Sequence, residues 1–336
     1  MESALSCQPG AHGTSFAASQ HLNTTTPSTP PGGLPSPGRL FRDRRASPRP
    51  EPGAPVVTEA DLPLAETLRR HWPEYGVEAL FLAVFLLAAG AMAAWLQAPA
   101  DPADLAWRRA LAGIGTGLLL MAMIYSPWGR RSGTHLNPAI TLAYLRLGKI
   151  GRWDALFYLV SQVGAALVAV EVLRAATLLP ALASPSALST FIGPASPGTA
   201  FVTQFVLSAS AMLMILFTSN HARWFRFTGV LYAMLMMLMV ACAAPLSGFG
   251  MNLARLLAVN LSSDADAWRW LNLLPPLLGM QLAVEAWRLF TGRTQPLCAK
   301  LAHNTHGRCI FRCQHPYQTR ALAMAAIRRR AKSPRR

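Results

Sequence analysis

Two stretches of this sequence decide its fold, because each repeats the other. Residues 132–143 read SGTHLNPAITLA and residues 247–258 read SGFGMNLARLLA, so that six of twelve positions agree at an offset of 115. Each stretch offers only about ten residues after its Asn, whereas a membrane-spanning helix needs about 20. The sequence therefore predicts two half-helices that dip into a membrane, with Asn137 and Asn252 as their N-caps.

The segments around the repeats are apolar enough to cross a membrane. Of 336 residues, 52% are hydrophobic and 14% are charged, against roughly 25% charged in a soluble domain. This composition argues against a soluble enzyme. Six segments have the length of a membrane span, and their predicted bounds are Tyr75–Leu96, Leu105–Tyr125, Ala155–Leu173, Gly198–Phe217, Phe227–Ala244 and Trp268–Leu289.

Charged residues in the connections predict how these spans are oriented. Lys and Arg concentrate in both ends of the chain and in the second-to-third and fourth-to-fifth connections. Because basic flanks stay in the cytoplasm, we expect both termini there, in a multi-pass protein of the cell's inner membrane. Three spans separate the repeats, so the halves are inverted. We expect an all-α membrane protein with six transmembrane helices and two reentrant half-helices, the inverted 3+3 architecture of a channel or transporter.

Two half-helices that enter from opposite faces bring their N-termini together near the middle of the membrane. Each N-terminus presents free N–H groups and about half a positive charge. Irregular backbone at that depth is tolerated only where protein covers it or where it lines a water-filled cavity. Such a site repels cations and orients neutral solutes that form hydrogen bonds.

Over residues 73–290 the chain resembles the aquaporin, or major intrinsic protein, family. Residues 135–139 (HLNPA) are similar to the first Asn-Pro-Ala box of that family, and residues 250–255 (GMNLAR) are similar to the second. The resemblance implies a homotetramer with one pore per subunit. It places six residues in the pore boxes: Asn137, Pro138, Ala139, Asn252, Leu253 and Ala254.

Three polar residues are expected to brace the reentrant loops. The resemblance implies that the Glu78 carboxylate in span one holds the first loop, and that Gln204 stands where the fourth span usually carries a second Glu. His135, just before the first box, fits a hydrogen-bonded brace or a wall of the inner mouth better than a proton relay.

The second box departs from the family pattern at Leu253, which replaces a Pro. The change removes a preset backbone angle at the start of the outer half-helix, and it puts a branched side chain beside the two Asn residues. We expect the fold to survive and the local pore shape to change.

By their spacing from the two Asn residues, four positions correspond to the outer constriction of the family: Gly117, Val240, Phe249 and Arg255. The absence of a side chain at Gly117 predicts open room, and Val240 removes a polar partner that water would have used. Phe249 predicts an apolar wall opposite the donors of Arg255. Arg255 carries a cation that is costly inside a membrane unless it faces water or a partner. This combination predicts a preference for glycerol-like polyols.

The two ends of the chain are polar and differ from the middle. Residues 1–70 are rich in Pro and predict a disordered cytoplasmic extension, whereas residues 291–336 form a basic tail that we expect to bind anionic lipid and not nucleic acid. The tail also collects candidate zinc ligands, with plain or redox-active thiols as the alternatives. These candidates are Cys298, His303, His306, Cys309, Cys313 and His315.

The sequence thus predicts a passive channel for water or small uncharged solutes. The alternative is a metal- or redox-responsive membrane module with a degenerate pore. A secondary transporter would need ligands for a coupling ion, and the spans offer no paired carboxylates for that purpose. No cluster of His and Asp with a Ser or Cys nucleophile indicates an enzyme, and no cofactor is expected.

Overall fold

The computed structural model describes residues 62–97, 101–176, 196–221, 223–247, 250–262, 271–292, 296–303 and 309–314. The chain divides into two units, Met1–Ala54 and Pro55–Arg336, and every described residue belongs to the second. Most of the predicted N-terminal extension lies outside the described residues, as do Phe249, His306 and His315.

Nine α-helices make up the regular structure of the described residues, together with a short 3₁₀ turn at Phe225–Phe227. They are α1 (Leu64–Gln97), α2 (Pro102–Tyr125), α3 (Pro127–Ser132), α4 (Pro138–Arg146), α5 (Arg152–Ala176), α6 (Pro197–Asn220), α7 (Thr228–Ser247), α8 (Leu253–Leu261) and α9 (Leu274–Phe290).

Five of these helices, α1, α2, α5, α6 and α7, are long and apolar enough to cross a membrane. The sixth helix, α9, has 17 residues and is therefore about 26 Å long. It begins at Leu274, with a proline in its first turn, where the missing N–H costs no hydrogen bond. Trp268, the predicted start of the sixth span, lies outside the described residues. Together the six helices and the half-helices α4 and α8 confirm the predicted fold class.

The structure corrects the start of the first span. Helix α1 begins at Leu64 and not at Tyr75, so the predicted disordered extension 1–70 ends too late. The first turns of α1 are polar and give no membrane signal in the sequence. Their polar groups are paired within the protein: His71 Nδ1 lies 2.6 Å from Asp154 Oδ1 on α5, and the Tyr75 hydroxyl donates to the same oxygen.

The helix contacts repeat between the two halves of the chain. Helix α1 packs on α5 as α6 packs on α9, and α2 packs on α7 between the halves. The half-helix α4 packs on both α5 and α9, whereas α8 packs on α5 and meets α4. Each half-helix therefore contacts a long helix of the other half, α9 for α4 and α5 for α8.

Two glycines of α2 allow a close approach to α7. A Cβ atom on Gly113 would lie 2.6 Å from the carbonyl oxygen of Met237, and one on Gly117 would overlap the Met237 side chain and lie 2.8 Å from the carbonyl oxygen of Ala233. Small residues four positions apart are typical of tightly packed membrane helices. The expectation that Gly117 leaves open room is therefore wrong, because Met237 occupies that room.

We expect Gly117→Phe to destabilise the protein, because the ring would be forced against the backbone of α7. Overpacking of this kind costs about 1–3 kcal/mol. The measurement is the thermal unfolding midpoint in detergent, with Gly164→Phe as the matched control, since Gly164 is exposed and has open space beside it. Equal midpoints for the two variants would contradict the packing described here.

Candidate pore

The two half-helices begin at the two Asn residues of the repeat. Asn137 caps α4, and its Oδ1 accepts a hydrogen bond from the N–H of Ala139 at 3.0 Å. Asn252 caps α8, and its Oδ1 accepts from the N–H groups of Ala254 at 3.1 Å and Arg255 at 3.4 Å. The predicted N-caps are confirmed.

The same two side chains also bind the halves of the protein to each other. Asn137 Nδ2 donates to the carbonyl oxygen of Met251 at 2.9 Å, and Asn252 Nδ2 donates to the carbonyl oxygen of Leu136 at 2.7 Å. Each Asn therefore holds the residue that precedes the other Asn. The half-helices meet end to end at their N-termini, so they enter from opposite faces of the protein.

Leu253, the departure from the family pattern, adds a hydrogen bond that a Pro cannot make. Its N–H donates to Asn137 Oδ1 at 3.2 Å, whereas proline has no backbone N–H. The equivalent residue of the first box, Pro138, offers no such donor to Asn252. Helix α8 still begins at Leu253, so the expected survival of the fold is confirmed.

The Glu78 carboxylate, which is fully buried on α1, anchors the first loop. Its Oε1 accepts from the Ser132 hydroxyl at 2.9 Å and from the N–H of His135 at 3.1 Å. Its Oε2 accepts from the N–H of Leu136 at 2.7 Å and from Gln162 Nε2 at 3.0 Å. Four donors therefore satisfy the buried carboxylate, and three of them belong to the first loop.

The anchored loop has an unusual backbone. Gly133, Thr134 and Leu136 have φ angles of 97°, 57° and 50°. Such angles suit glycine but cost a β-branched or branched residue roughly 1–3 kcal/mol. The contacts of Glu78 on both sides of Thr134 hold the loop in this conformation. It turns the Leu136 carbonyl group toward Asn252.

Gln204 takes the corresponding place in the second half. It is fully buried on α6, and a Cβ atom on Gly250 would lie 2.6 Å from its Nε2 atom. Gln204 therefore packs directly against the backbone that leads into Asn252.

His135 lies in an aromatic cage below the first box. Its ring stacks on Tyr144 at 5.2 Å between centroids and on Phe311 of the tail at 5.4 Å. Nε2 lies 2.9 Å from the carbonyl oxygen of Ala299, and Nδ1 lies 3.1 Å from Thr141 Oγ1. Because a carbonyl only accepts, Nε2 carries the hydrogen and Nδ1 of the neutral ring accepts from Thr141. Both ring nitrogens of His135 thus have hydrogen-bond partners, and the ring is stacked between two aromatic side chains.

The structure describes three of the four predicted constriction residues. Arg255 is 7% exposed and lies in the first turn of α8, and Val240 is half-buried on α7. Gly117 packs against α7, as described above. Phe249 lies outside the described residues, so the assignment of these positions to one constriction remains a prediction.

A family model for the major intrinsic proteins matches residues 71–287. The chain belongs to the major intrinsic protein family. It is 29% identical over 190 residues to Aquaporin A of Dictyostelium discoideum and 32% identical over 168 residues to Aquaporin NIP1-1 of Arabidopsis thaliana. These matches cover 55% and 48% of this chain, and 67% and 56% of the two relatives.

The fold is similar to the X-ray structure of the aquaglyceroporin from Plasmodium falciparum. The TM-score is 0.53 and the identity 18%, with 65% of this chain and 95% of the other covered. At this identity the likeness shows the fold alone. It supports the six helices and two half-helices described above.

The tail lies beyond the residues that match the family, yet it packs against the first reentrant loop. The N–H of Leu301 donates to the carbonyl oxygen of Gly133 at 3.2 Å, and the N–H of Arg312 donates to that of Lys149 at 2.9 Å. The N–H of Leu297 donates to Asn220 Oδ1 at the end of α6. The tail thus reaches from α6 to the first loop and to the turn before α5.

The tail also brings together four of the six predicted metal ligands. Their ligand atoms all lie within 4.8 Å of one another, and they belong to Cys298, His303, Cys309 and Cys313. Burial raises the pKa of the Cys298 thiol well above its ordinary value, because a thiolate is poorly solvated there. His306 and His315, the other two predicted ligands, lie outside the described residues.

Sequence reasoning missed two parts of the site. Gln162, the fourth partner of Glu78, is a polar residue in the middle of the apolar span α5, and that position is a signal that could have identified it. The docking of the tail gave a weaker signal, because two of its contacts join backbone groups that no residue type reveals. Only the aromatic Phe311 and the apolar residues beside the cysteines indicate that this segment is buried.

We expect Leu253→Pro to change the ratio of water to solute permeability within a functional channel, because Asn137 Oδ1 loses a hydrogen-bond donor. Leu253→Ala is the matched control, since it keeps the N–H and removes the side chain. Stopped-flow swelling and shrinking of proteoliposomes measures both permeabilities. An altered ratio in the Ala variant and an unchanged ratio in the Pro variant would contradict the role of the N–H.

Proposed function

We propose that this chain is a passive channel for water and small uncharged solutes. The observation that carries the proposal is the pair of half-helices whose N-termini meet at Asn137 and Asn252. Each side-chain amide has two N–H groups, and the brace to the other half uses one of them. The second N–H is suited to a passing solute. The N–H groups of the two fixed Asn side chains therefore replace part of the solute's hydration shell.

The charges at this site favour neutral solutes over cations. Two helix N-termini each contribute about half a positive charge, and the guanidinium of Arg255 lies in the first turn of α8. The positive charges also attract anions. This attraction is offset in part, because the surrounding core is apolar and desolvation of any ion is costly. An uncharged molecule with hydroxyl groups is not repelled by the positive charges and does not pay the desolvation cost of an ion.

Small polyols are the solutes that we expect the channel to favour among uncharged molecules. Val240 supplies an apolar side chain and Arg255 a fork of donors, whereas Met237 fills the room beside Gly117. A polyol has carbon on one side and hydroxyls on the other, so both surfaces can be satisfied as water is shed.

Two further features follow from membership of the family and from charge. We propose a homotetramer with a pore in each subunit, and exposed apolar side chains such as Val160 and Val168 on α5 suit contact with lipid or with a neighbouring subunit.

We also propose an inner-membrane location with both termini in the cytoplasm, since basic residues flank the α2–α5 and α6–α7 connections. The alternative of a degenerate pore has no support in the family match.

The function is tested by stopped-flow measurements on proteoliposomes that contain the full chain. A metal chelator is present, because the tail packs on the first reentrant loop and carries four candidate metal ligands. We expect the wild type to conduct water and small neutral solutes and to exclude K⁺, and Arg255→Ala to leak K⁺. The matched control is Arg146→Ala, which removes an exposed Arg from the end of α4. Wild-type flux equal to that of protein-free vesicles would contradict the function.

The polyol preference has its own test at Val240. We expect Val240→His to depress glycerol flux more than water flux, because a polar ring removes the apolar wall and narrows the passage. Val240→Ala keeps an apolar surface and serves as the control, with the preference retained. The ratio of the two fluxes is the measurement, and a ratio that is the same in all three proteins would show that Val240 does not face the pore.

A further inference from the structure

The tail lies against the first reentrant loop, at one face of the protein. The face of the protein that carries the α2–α5 and α6–α7 connections is called the basic face here, after Arg130, Arg131, Lys149, Arg223 and Arg226. At this face the first reentrant loop leads inward to Asn137. Residues 296–303 and 309–314 lie on that loop, and they leave His135 only 2% exposed.

The tail is buried against the first loop and does not only lie on the protein surface. Ala299 and Leu301 are 0% and 1% exposed, and Phe311 is 3% exposed. A Cβ atom on Gly133 would lie 3.0 Å from the Phe311 ring, so the ring is in direct contact with the loop backbone. Arg312 Nη1 donates to the carbonyl oxygen of Gly148 at 3.0 Å on the other side. The segment therefore covers the first loop at the basic face, which is the mouth of the proposed channel on that side.

Backbone contacts alone do not explain why the segment keeps this shape. Its described residues form neither a helix nor a strand, so few hydrogen bonds connect its own residues. Ordering the backbone costs roughly 1–2 kcal/mol per residue. A cross-link within the segment would offset part of this cost.

The four clustered side chains have the geometry for such a cross-link. Cys298 Sγ lies 3.6 Å from Cys309 Sγ, which is too long for a disulfide bond of about 2.05 Å. It is close to the separation of about 3.8 Å between two thiolates on a tetrahedral zinc ion with Zn–S bonds near 2.3 Å. His303 Nε2 lies 2.9 Å from Cys313 Sγ. Three residues separate Cys309 from Cys313, as is common in zinc sites.

The charge around the cluster also fits a bound cation. Three thiolates, a neutral imidazole and Zn²⁺ have a net charge of about −1. The ammonium group of Lys149 is buried and lies close enough to Cys298 and Cys313 to interact with them electrostatically. Its positive charge balances the site, and its Nζ also donates to the carbonyl oxygen of Arg312 at 3.2 Å.

We propose that Cys298, His303, Cys309 and Cys313 bind Zn²⁺ and that the ion holds the tail in the mouth at the basic face. Binding displaces the protons of the three thiols, and the ion then ties residues 298–303 to residues 309–313. With zinc the mouth is closed, and loss of zinc releases the tail. The effect on flux, though not the site itself, rests on the proposed channel function.

The metal is tested first on the purified full chain. We expect one zinc per chain by elemental analysis, and a Co²⁺-substituted protein with the charge-transfer and ligand-field absorption of tetrahedral thiolate coordination. Cys313→Ser should weaken zinc binding by more than the roughly 10- to 100-fold that loss of an outer-shell partner costs. Cys242→Ser on α7 is the matched control, since Cys242 is an exposed free thiol away from the cluster. Absence of zinc, or unchanged affinity in Cys313→Ser, overturns the site.

Tail docking is tested by hydrogen exchange, which does not depend on transport. We expect the amides of Leu301 and Arg312 to be protected in the zinc-loaded wild type and to exchange faster after chelation. In Cys313→Ser they should exchange fast in both conditions. Protection that is the same with and without zinc in the wild type overturns the claim that the ion holds the tail.

Flux measurements distinguish closure of the mouth by the tail from the channel function itself. Chelation should raise solute flux several-fold in wild-type proteoliposomes, and Cys313→Ser should show the high flux without chelator. Flux that is present and equal with and without zinc overturns the closure while the channel function stands. Flux that is absent under every condition overturns the channel function, while the zinc and exchange measurements still decide the site.

Discussion

The structure depends on one constraint: two Asn side chains must satisfy the backbone where two half-helices meet. Each of Asn137 and Asn252 caps its own helix with Oδ1 and holds the opposite loop with Nδ2. Irregular backbone cannot face lipid, because its polar groups would lack partners. The crossed amides supply those partners and fix the distance between the halves. Six surrounding helices then shield the junction from lipid.

The two halves meet this constraint with different chemistry. The first loop is anchored by the charged carboxylate of Glu78, with four donors and three left-handed residues. The second loop packs on the neutral amide of Gln204, and its half-helix begins at Leu253, whose N–H binds Asn137. The stronger anchor lies on the side where the tail docks. A loop held rigid by a buried charge offers a fixed surface for His135 and Phe311 to stack on.

The sequence predicted the architecture because the fold is encoded in a repeat and in apolar lengths, both of which are local properties. It also predicted the caps at both Asn residues. It failed at Gly117, because the absence of a side chain does not tell whether a neighbour fills the space, and Met237 does. It placed the start of α1 too late, because buried polar pairs such as His71 with Asp154 look like solvent-exposed residues in a sequence. The candidate zinc ligands were found by composition, but their convergence depends on long-range backbone contacts that no spacing rule contains.

In the proposed function, solutes pass through a protein-lined path at the meeting point of α4 and α8. The most direct test is the temperature dependence of osmotic water flux into vesicles that contain the full chain, after removal of metal ions. We expect the water flux to be larger, and to vary less steeply with temperature, than in protein-free vesicles. The reason is that water exchanges hydrogen bonds with fixed protein groups instead of dissolving in lipid. A temperature dependence equal to that of the bare bilayer would contradict the claim.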